Sequence, residues 1–314
     1  MGATEHPPVT EHPPLWKTLT AFGFIYFVWG STYLAIRVGV HEVPPLMFAG
    51  MRFFAAGGAL YAWTMMRGER APSNPQWISA CVLAFLIFVC DYGLLFWAEI
   101  RVPSGIAAVM MATIPVFIAL GEIVFLRTQR LTWRLGIALL VGMAGVAALT
   151  LRTLNLSGAP VEPLAAAALI VASASWAVGT ILTRRLELPE SKMVSSGAQM
   201  LAGGIMLFAA SAAFGEFGKF DVRKVSSGAW WALAYLVVVG SIIGFTAYVW
   251  LLHHQSPTKV GTYAYVNPVV AVVVGYFLGG EELGMRTLVG TALVIVSVVM
   301  ITTARKRATP QAAK

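Results

Sequence analysis

Charge is the scarcest property of this sequence. Asp, Glu, Lys and Arg make up 11% of its 314 residues, less than half of the roughly 25% found in an average soluble domain. That shortage excludes a surface built to stay dispersed in water. With 58% apolar residues and a mean hydropathy of +0.76, the chain suits lipid as its solvent. Cysteine is nearly absent as well. Cys81 and Cys90 lie in one apolar run, about 13 Å apart along a helix axis, too far to pair or to share a metal. They read as packing residues. A His-Glu-x-x-His pair, a Gly-x-Ser-x-Gly elbow and a P-loop are all missing, which argues against a membrane-embedded enzyme and against an ATP-driven pump. No metal and no cofactor is expected. Residues 1 to 16 repeat Thr-Glu-His-Pro-Pro from Thr4 and again from Thr10 and have no basic stretch before Lys17. This segment reads as a cytoplasmic tail and not as a cleaved signal.

What the sequence does have is apolar runs long enough to cross a bilayer, which takes about 20 residues because backbone groups in lipid can pair only within their own helix. Ten such runs are predicted: 18–36, 46–66, 77–98, 103–126, 133–151, 163–183, 194–214, 229–251, 259–279 and 287–304. The prolines at 44–45, 72–75, 103, 160–163 and 257 mark the breaks between them. The net charge of +8 could suggest a nucleic-acid partner, but the basic residues sit in small clusters between apolar runs and serve as topology signals. With the N-terminus inside, fourteen of the 22 Lys and Arg residues fall on the cytoplasmic side, seven fall outside, and Arg52 lies within a span. Both termini are therefore expected in the cytoplasm, with the chain multi-pass in the cell inner membrane.

An internal duplication is visible in the spacing. Trp29 and Trp176, Arg37 and Arg184, Gly50 and Gly197, and Gly57 and Gly204 share an offset of 147, while Trp97 matches Trp250 and Pro115-Val116 matches Pro268-Val269 at 153. The chain divides into a tail (1–17), a first repeat (18–152), a second repeat (163–304) and a basic tail (305–314). Five spans per repeat force the second copy into the membrane in the opposite sense. The expected fold class is thus an all-α membrane protein of ten transmembrane helices, arranged as two inverted-topology five-helix repeats around a central cavity.

Tyr265-Val266-Asn267-Pro268-Val269-Val270-Ala271, Gly279-Gly280-Glu281 and Gly290, with Trp29-Gly30, Arg52, Pro115, Gly136 and Gly145 in the first half, resemble the EamA domain of the drug/metabolite transporter superfamily. The likeness runs from about residue 20 to residue 304. One position departs from it: Arg127-Thr128-Gln129-Arg130 stands where a Gly-Glu often follows the fourth span. The resemblance implies transport of small metabolites, most of all export of amino acids, including aromatic or apolar ones, by alternating access. Efflux of lipophilic cations is the alternative.

Ionisable groups inside a membrane are costly and therefore candidates for function. Arg52 and Asp91 each lie about 10 Å below the same interface on adjacent descending and ascending spans, so they are expected to face each other or to share a polar cavity as a gate. Glu122, near the cytoplasmic end of the fourth span, is expected to snorkel toward the headgroups and leaves room for proton coupling. Trp29, Tyr92, Trp176, Tyr248, Tyr263, Tyr265 and Asn267 are the expected pathway residues, because a buried indole or phenol needs a partner for its polar tip. Pro115 and Pro268 each remove a backbone donor and are expected hinges beside the central cavity. The partners expected are a small-molecule substrate and the lipid bilayer, with the chain acting as a monomer.

Overall fold

The computed structural model describes residues 13–101, 107, 110–157, 162–279 and 285–303. Residues 1–12 of the expected N-terminal tail, the C-terminal tail, Gly280-Glu281 and part of the fourth predicted span fall outside them, while the last residues assigned to the N-terminal tail begin α1. Every regular element among the described residues is helical. The longer ones are α1 (Leu15–Val40), α2 (Pro45–Met66), α3 (Asn74–Glu99), α4 (Ile114–Leu126), α5 (Trp133–Ser157), α6 (Pro163–Leu182), α7 (Lys192–Ala213), α8 (Ser227–His254), α9 (Tyr263–Gly279) and α10 (Met285–Thr302). Five of these, α1, α3, α6, α7 and α8, combine the length and apolarity needed to cross a membrane. Large apolar side chains such as Phe27, Phe125, Leu140 and Trp231 point outward, as a lipid-facing surface requires.

The helix starts follow from the sequence. Pro45, Pro75, Pro115 and Pro163 occupy the first turn, where a missing N–H leaves nothing unpaired. Ser191 and Ser226 cap α7 and α8 through their hydroxyls, and Ser73 opens α3 in a capping box in which its amide donates to the Gln76 side chain. Pro115 therefore opens a helical segment after a turn at 112–113, whereas the sequence suggested a proline in mid-helix. Pro268 does lie inside its helix, six residues beyond a turn at 261–262. Besides a π-helical turn at Glu122–Leu126 that ends α4, two longer stretches are wider than an α-helix: Phe85–Tyr92 in α3 and Leu236–Ile243 in α8 form π-helical turns. They occupy matching places in the two halves, and turns of this kind cluster at functional sites.

Glycines let the duplicated helices touch. A methyl group on Gly57 would lie 2.2 Å from the Leu201 amide nitrogen, one on Gly204 2.3 Å from that of Phe54, and one on Gly197 3.0 Å from that of Tyr61. Gly50 meets the ring of Phe208. As the numbers rise along α2 they fall along α7, so the two helices run antiparallel. The same holds for α5 and α10, where Gly145 packs on Gly290 and Val294, Gly142 packs on Ser297, and Arg134 donates to Thr303. By contrast α1 runs parallel to α9, with Tyr26 on Thr262 and Gly30 on Val270. So does α4 beside α6, with Met110 near Ser173 and Gly121 near Ile181.

Carboxylates from one half cap helix starts of the other. Glu42, just after α1, accepts from the amide and hydroxyl of Ser226 at 2.6 and 2.8 Å. Glu216, just after α7, accepts from the amides of Leu46 and Met47 at 3.3 and 2.9 Å. Glu122 behaves similarly at the other end of the molecule. Instead of snorkelling, it is 2% exposed and accepts from the Thr258 amide at 2.8 Å and the Thr128 hydroxyl at 3.3 Å. The free amides of the short turn Pro257–Val260 offer that carboxylate a stronger partner than the interface does.

Candidate functional site

The candidate site grows from five helices whose aromatic rings converge around the two duplicated tryptophans. Trp29 of α1 and Trp176 of α6 meet edge to face with centroids 5.5 Å apart. Around them, Tyr248 of α8 lies 5.2 Å from each, Tyr263 of α9 lies 4.7 Å from Trp29, and Tyr92 of α3 lies 5.8 Å from Trp176. Edge-to-face pairs of this kind add about 0.5–1.5 kcal/mol each beyond burial, which holds the rings at fixed angles. Two of the polar tips are also held. Trp29 donates to the Gly240 carbonyl at 3.0 Å, inside the π-helical stretch of α8, and Tyr248 pairs with Thr180.

Beside the rings lies a cavity lined by Trp29, Tyr33, Asp91, Tyr92, Trp176, Tyr263 and Asn267, with Thr32, Ile36, Leu95, Met111, Ile114 and Ala264 completing the wall. Its free volume is about 30 Å3, room for roughly two water molecules and too little for a metabolite. Three polar atoms of its lining residues lack a hydrogen bond: Oδ1 of Asp91, Nε1 of Trp176 and Oδ1 of Asn267. Asp91 is 1% exposed, so its carboxylate is held out of bulk water among aromatic rings.

Six residues expected from the sequence come together here: Trp29, Asp91, Tyr92, Trp176, Tyr263 and Asn267. Tyr248 packs directly behind them. Tyr265 does not join them. Its hydroxyl donates to the Leu139 carbonyl at 3.2 Å, and its ring sits on Gly142 in the seam between α5, α9 and α10. Arg52 and Asp91 do not form the expected pair. The guanidinium donates through Nε to Ser241 at 2.8 Å and lies 4.7 and 5.1 Å from the rings of Phe53 and Tyr92, leaving Nη1 without a partner. The π-helical stretches explain this. They re-aim residue 91 relative to a regular helix, and they place the Ser241 hydroxyl within reach of Arg52. Glu122 caps the 257–260 turn, away from the cavity, and Pro115 follows Ile114 of its wall.

Sequence reasoning missed Thr32, Tyr33, Ile36 and Met111. The signal was present for three of these, because Trp29, Thr32, Tyr33 and Ile36 follow the i, i+3, i+4, i+7 spacing of one helix face. Met111 lies at the turn before Pro115, where no periodicity points to it.

Comparison with known proteins fits this geometry. Over 92% of this chain and 90% of its own length, the Escherichia coli K12 protein described as the uncharacterized inner membrane transporter YedA is 40% identical. A chloroplastic WAT1-related protein of Arabidopsis thaliana is 24% identical over 88% of this chain and 67% of its own. The uncharacterized transporter YoaV of Bacillus subtilis is 21% identical over 91% and 97%. One solved crystal structure superposes with a TM-score of 0.72 at 20% identity, covering 91% of this chain and 97% of the other, a likeness of fold. The EamA-like transporter family matches twice, over residues 17–151 and 163–303, and the chain belongs to that family of membrane transporters.

Proposed function

We propose that this protein is a secondary transporter that carries small amine-bearing metabolites, amino acids with aromatic or apolar side chains foremost, out of the cytoplasm by alternating access. The observation that carries the reading is the cavity itself. One unpaired carboxylate, Asp91, faces a wall of aromatic rings drawn from both halves of the chain. Such a wall attracts an ammonium group through the faces of its rings, and the carboxylate complements its charge. Ten spans in two inverted five-helix repeats supply the framework in this reading. Antiparallel α2 and α7, which are the second helices of the two repeats, support it, as do the two family matches of nearly equal length. The termini then lie in the cytoplasm of a cell whose inner membrane the chain crosses, and it works as a monomer. A volume of about 30 Å3 is that of a closed form. Loading requires the halves to rock apart, with the chain giving way at the turns beside Pro115 and near Pro268.

The test is counterflow by purified protein in liposomes across a panel of amino acids. Internal unlabelled substrate should accelerate uptake of labelled substrate if access alternates, and should leave it unchanged for a pore. Efflux of lipophilic cations is the second reading, favoured by the lack of any cationic side chain in the cavity wall to receive a substrate carboxylate. If tetraphenylphosphonium exchanges and no amino acid does, that reading replaces the first.

A further inference from the structure

The two duplicated tryptophans differ at their polar tips. Nε1 of Trp29 donates to the Gly240 carbonyl at 3.0 Å, whereas Nε1 of Trp176, on the wall of the cavity, is buried without an acceptor. An indole N–H can only donate, so the wall lacks an acceptor atom at that point. Asp91 and Asn267 present the opposite need on the same wall, each with an unpartnered Oδ1. Behind the wall stands Arg52, 1% exposed, in no ion pair among the described residues and with Nη1 free of any hydrogen bond. Its guanidinium lies 5.1 Å from the ring of Tyr92, a cavity residue. A methyl carbon on Gly240 would meet Nη2 of Arg52 at 3.1 Å and Cγ2 of Thr32, another cavity residue, at 3.0 Å. A guanidinium keeps its charge wherever it is placed, and burying it without an anion is costly. The duplicated fold does not itself demand that cost. At the offsets of the repeat, Gln199 takes the place of Arg52 and Gly244 that of Asp91, so one half alone carries both charges.

Resting on the transporter reading above, we infer that the cavity receives both charges of a zwitterionic amino acid: its ammonium group at Asp91 and Asn267, and its carboxylate at Trp176 and Arg52. The indole N–H meets the carboxylate at the wall, and the guanidinium joins it as the cavity opens. Arg52 belongs to the first half of the chain, and Ser241, which accepts from its Nε at 2.8 Å, belongs to the second. Parting the halves breaks the bond that holds the guanidinium back. Its planar fork then matches a carboxylate through parallel N–H donors. Asp91 and Arg52, which stay apart in the closed protein, are each neutralised by one end of the same molecule. A bare amine leaves the guanidinium uncompensated, a bare acid leaves Asp91 so, and both are selected against.

Melting of the full-length protein in detergent across a concentration series of phenylalanine, phenethylamine and 3-phenylpropionate reads binding. Counterflow of phenylalanine in liposomes reads transport separately. Phenylalanine should bind about tenfold or more tighter than either of the others, the effect of one hydrogen bond to a charged group. Trp176→Phe keeps a ring and loses the N–H, and it should narrow the gap between phenylalanine and phenethylamine. Arg52→Gln should close that gap, and Arg52→Lys should reopen part of it. Asp91→Asn should bring phenylalanine down to the level of 3-phenylpropionate. Equal binding of phenylalanine and phenethylamine by the wild type, with exchange intact, overturns the carboxylate site and leaves the transporter standing. So does a full preference for phenylalanine in folded Arg52→Gln and Trp176→Phe proteins. Tighter binding of phenylalanine than of both analogues, with no counterflow, upholds the site and sinks the transporter reading alone. No stabilisation by any of the three overturns the site whatever the counterflow shows.

Discussion

Tyr263 and Tyr265 are two residues apart on α9 and equally buried, yet they belong to different worlds. Two helical steps turn a side chain by about 200°, to the opposite face. Tyr263 points to Trp29 and the cavity. Tyr265 points into the seam of α5 and α10, where Gly142 clears space for its ring and the Leu139 carbonyl accepts a hydrogen bond from its hydroxyl. Residue type and depth are the same on both sides, and what differs is the face. One face of α9 holds a cavity with unpaired polar atoms, the other a dry glycine-lined seam with its polar groups satisfied. Function therefore follows the unpaired atoms and stability follows the paired ones.

That contrast can be broken most forcefully from the cavity side. Trp29→Ala removes a ring touching Trp176, Tyr248 and Tyr263 together with the donor to Gly240. It should cost about 3–5 kcal/mol in thermal melts in detergent and abolish counterflow. Gly145→Val strikes the seam instead, because its first carbon would lie 2.9 Å from the Gly290 carbonyl and the Val294 amide nitrogen. Melting should reveal a loss of about 1–3 kcal/mol, with exchange per folded molecule retained. Tyr263→Leu and Tyr265→Phe sharpen the comparison directly. The first removes three ring contacts and should depress exchange while lowering stability by about 1–3 kcal/mol. The second should remove one hydrogen bond, about 0.5–1.5 kcal/mol, and leave exchange intact; equal transport defects in both would erase the distinction.

The smallest effect belongs to Glu42, far from both faces. Hydrogen bonds from the Ser226 amide, then from its hydroxyl, hold the Glu42 carboxyl below its ordinary value. A carboxyl depressed on folding stabilises above its unfolded pKa, and that contribution fades as pH falls through the folded value. Melting temperature should thus drop slightly more in the wild type than in Glu42→Gln as the buffer is acidified through the carboxylate range.

Much of this was legible in the amino acids. Proline positions mark helix starts, because proline is harmless in the first turn. The tryptophan pair at an offset of 147 announces a shared centre, since a duplication places equivalent residues about one axis. The pairing of Arg52 with Asp91 was not legible, because depth along an ideal helix says nothing of a π-helical stretch that redirects the side chain. Tyr265 looked equivalent to Tyr263 because both share the bilayer depth on which the expectation rested, and depth is blind to helix face. Glu122 was misplaced for a different reason. Its partner, the Thr258 amide, lies 136 residues away and carries no side-chain signature.

The crossed caps of Glu42 and Glu216 bind the two copies to each other. A first repeat made alone would begin α2 without the acceptor for its Leu46 and Met47 amides, and a second repeat alone would lose the carboxylate that holds the Ser226 amide and hydroxyl at the start of α8. Neither half is a spare part: each carries an acid that holds a helix start of the other, so recombining halves between distant relatives should fail first at these loops.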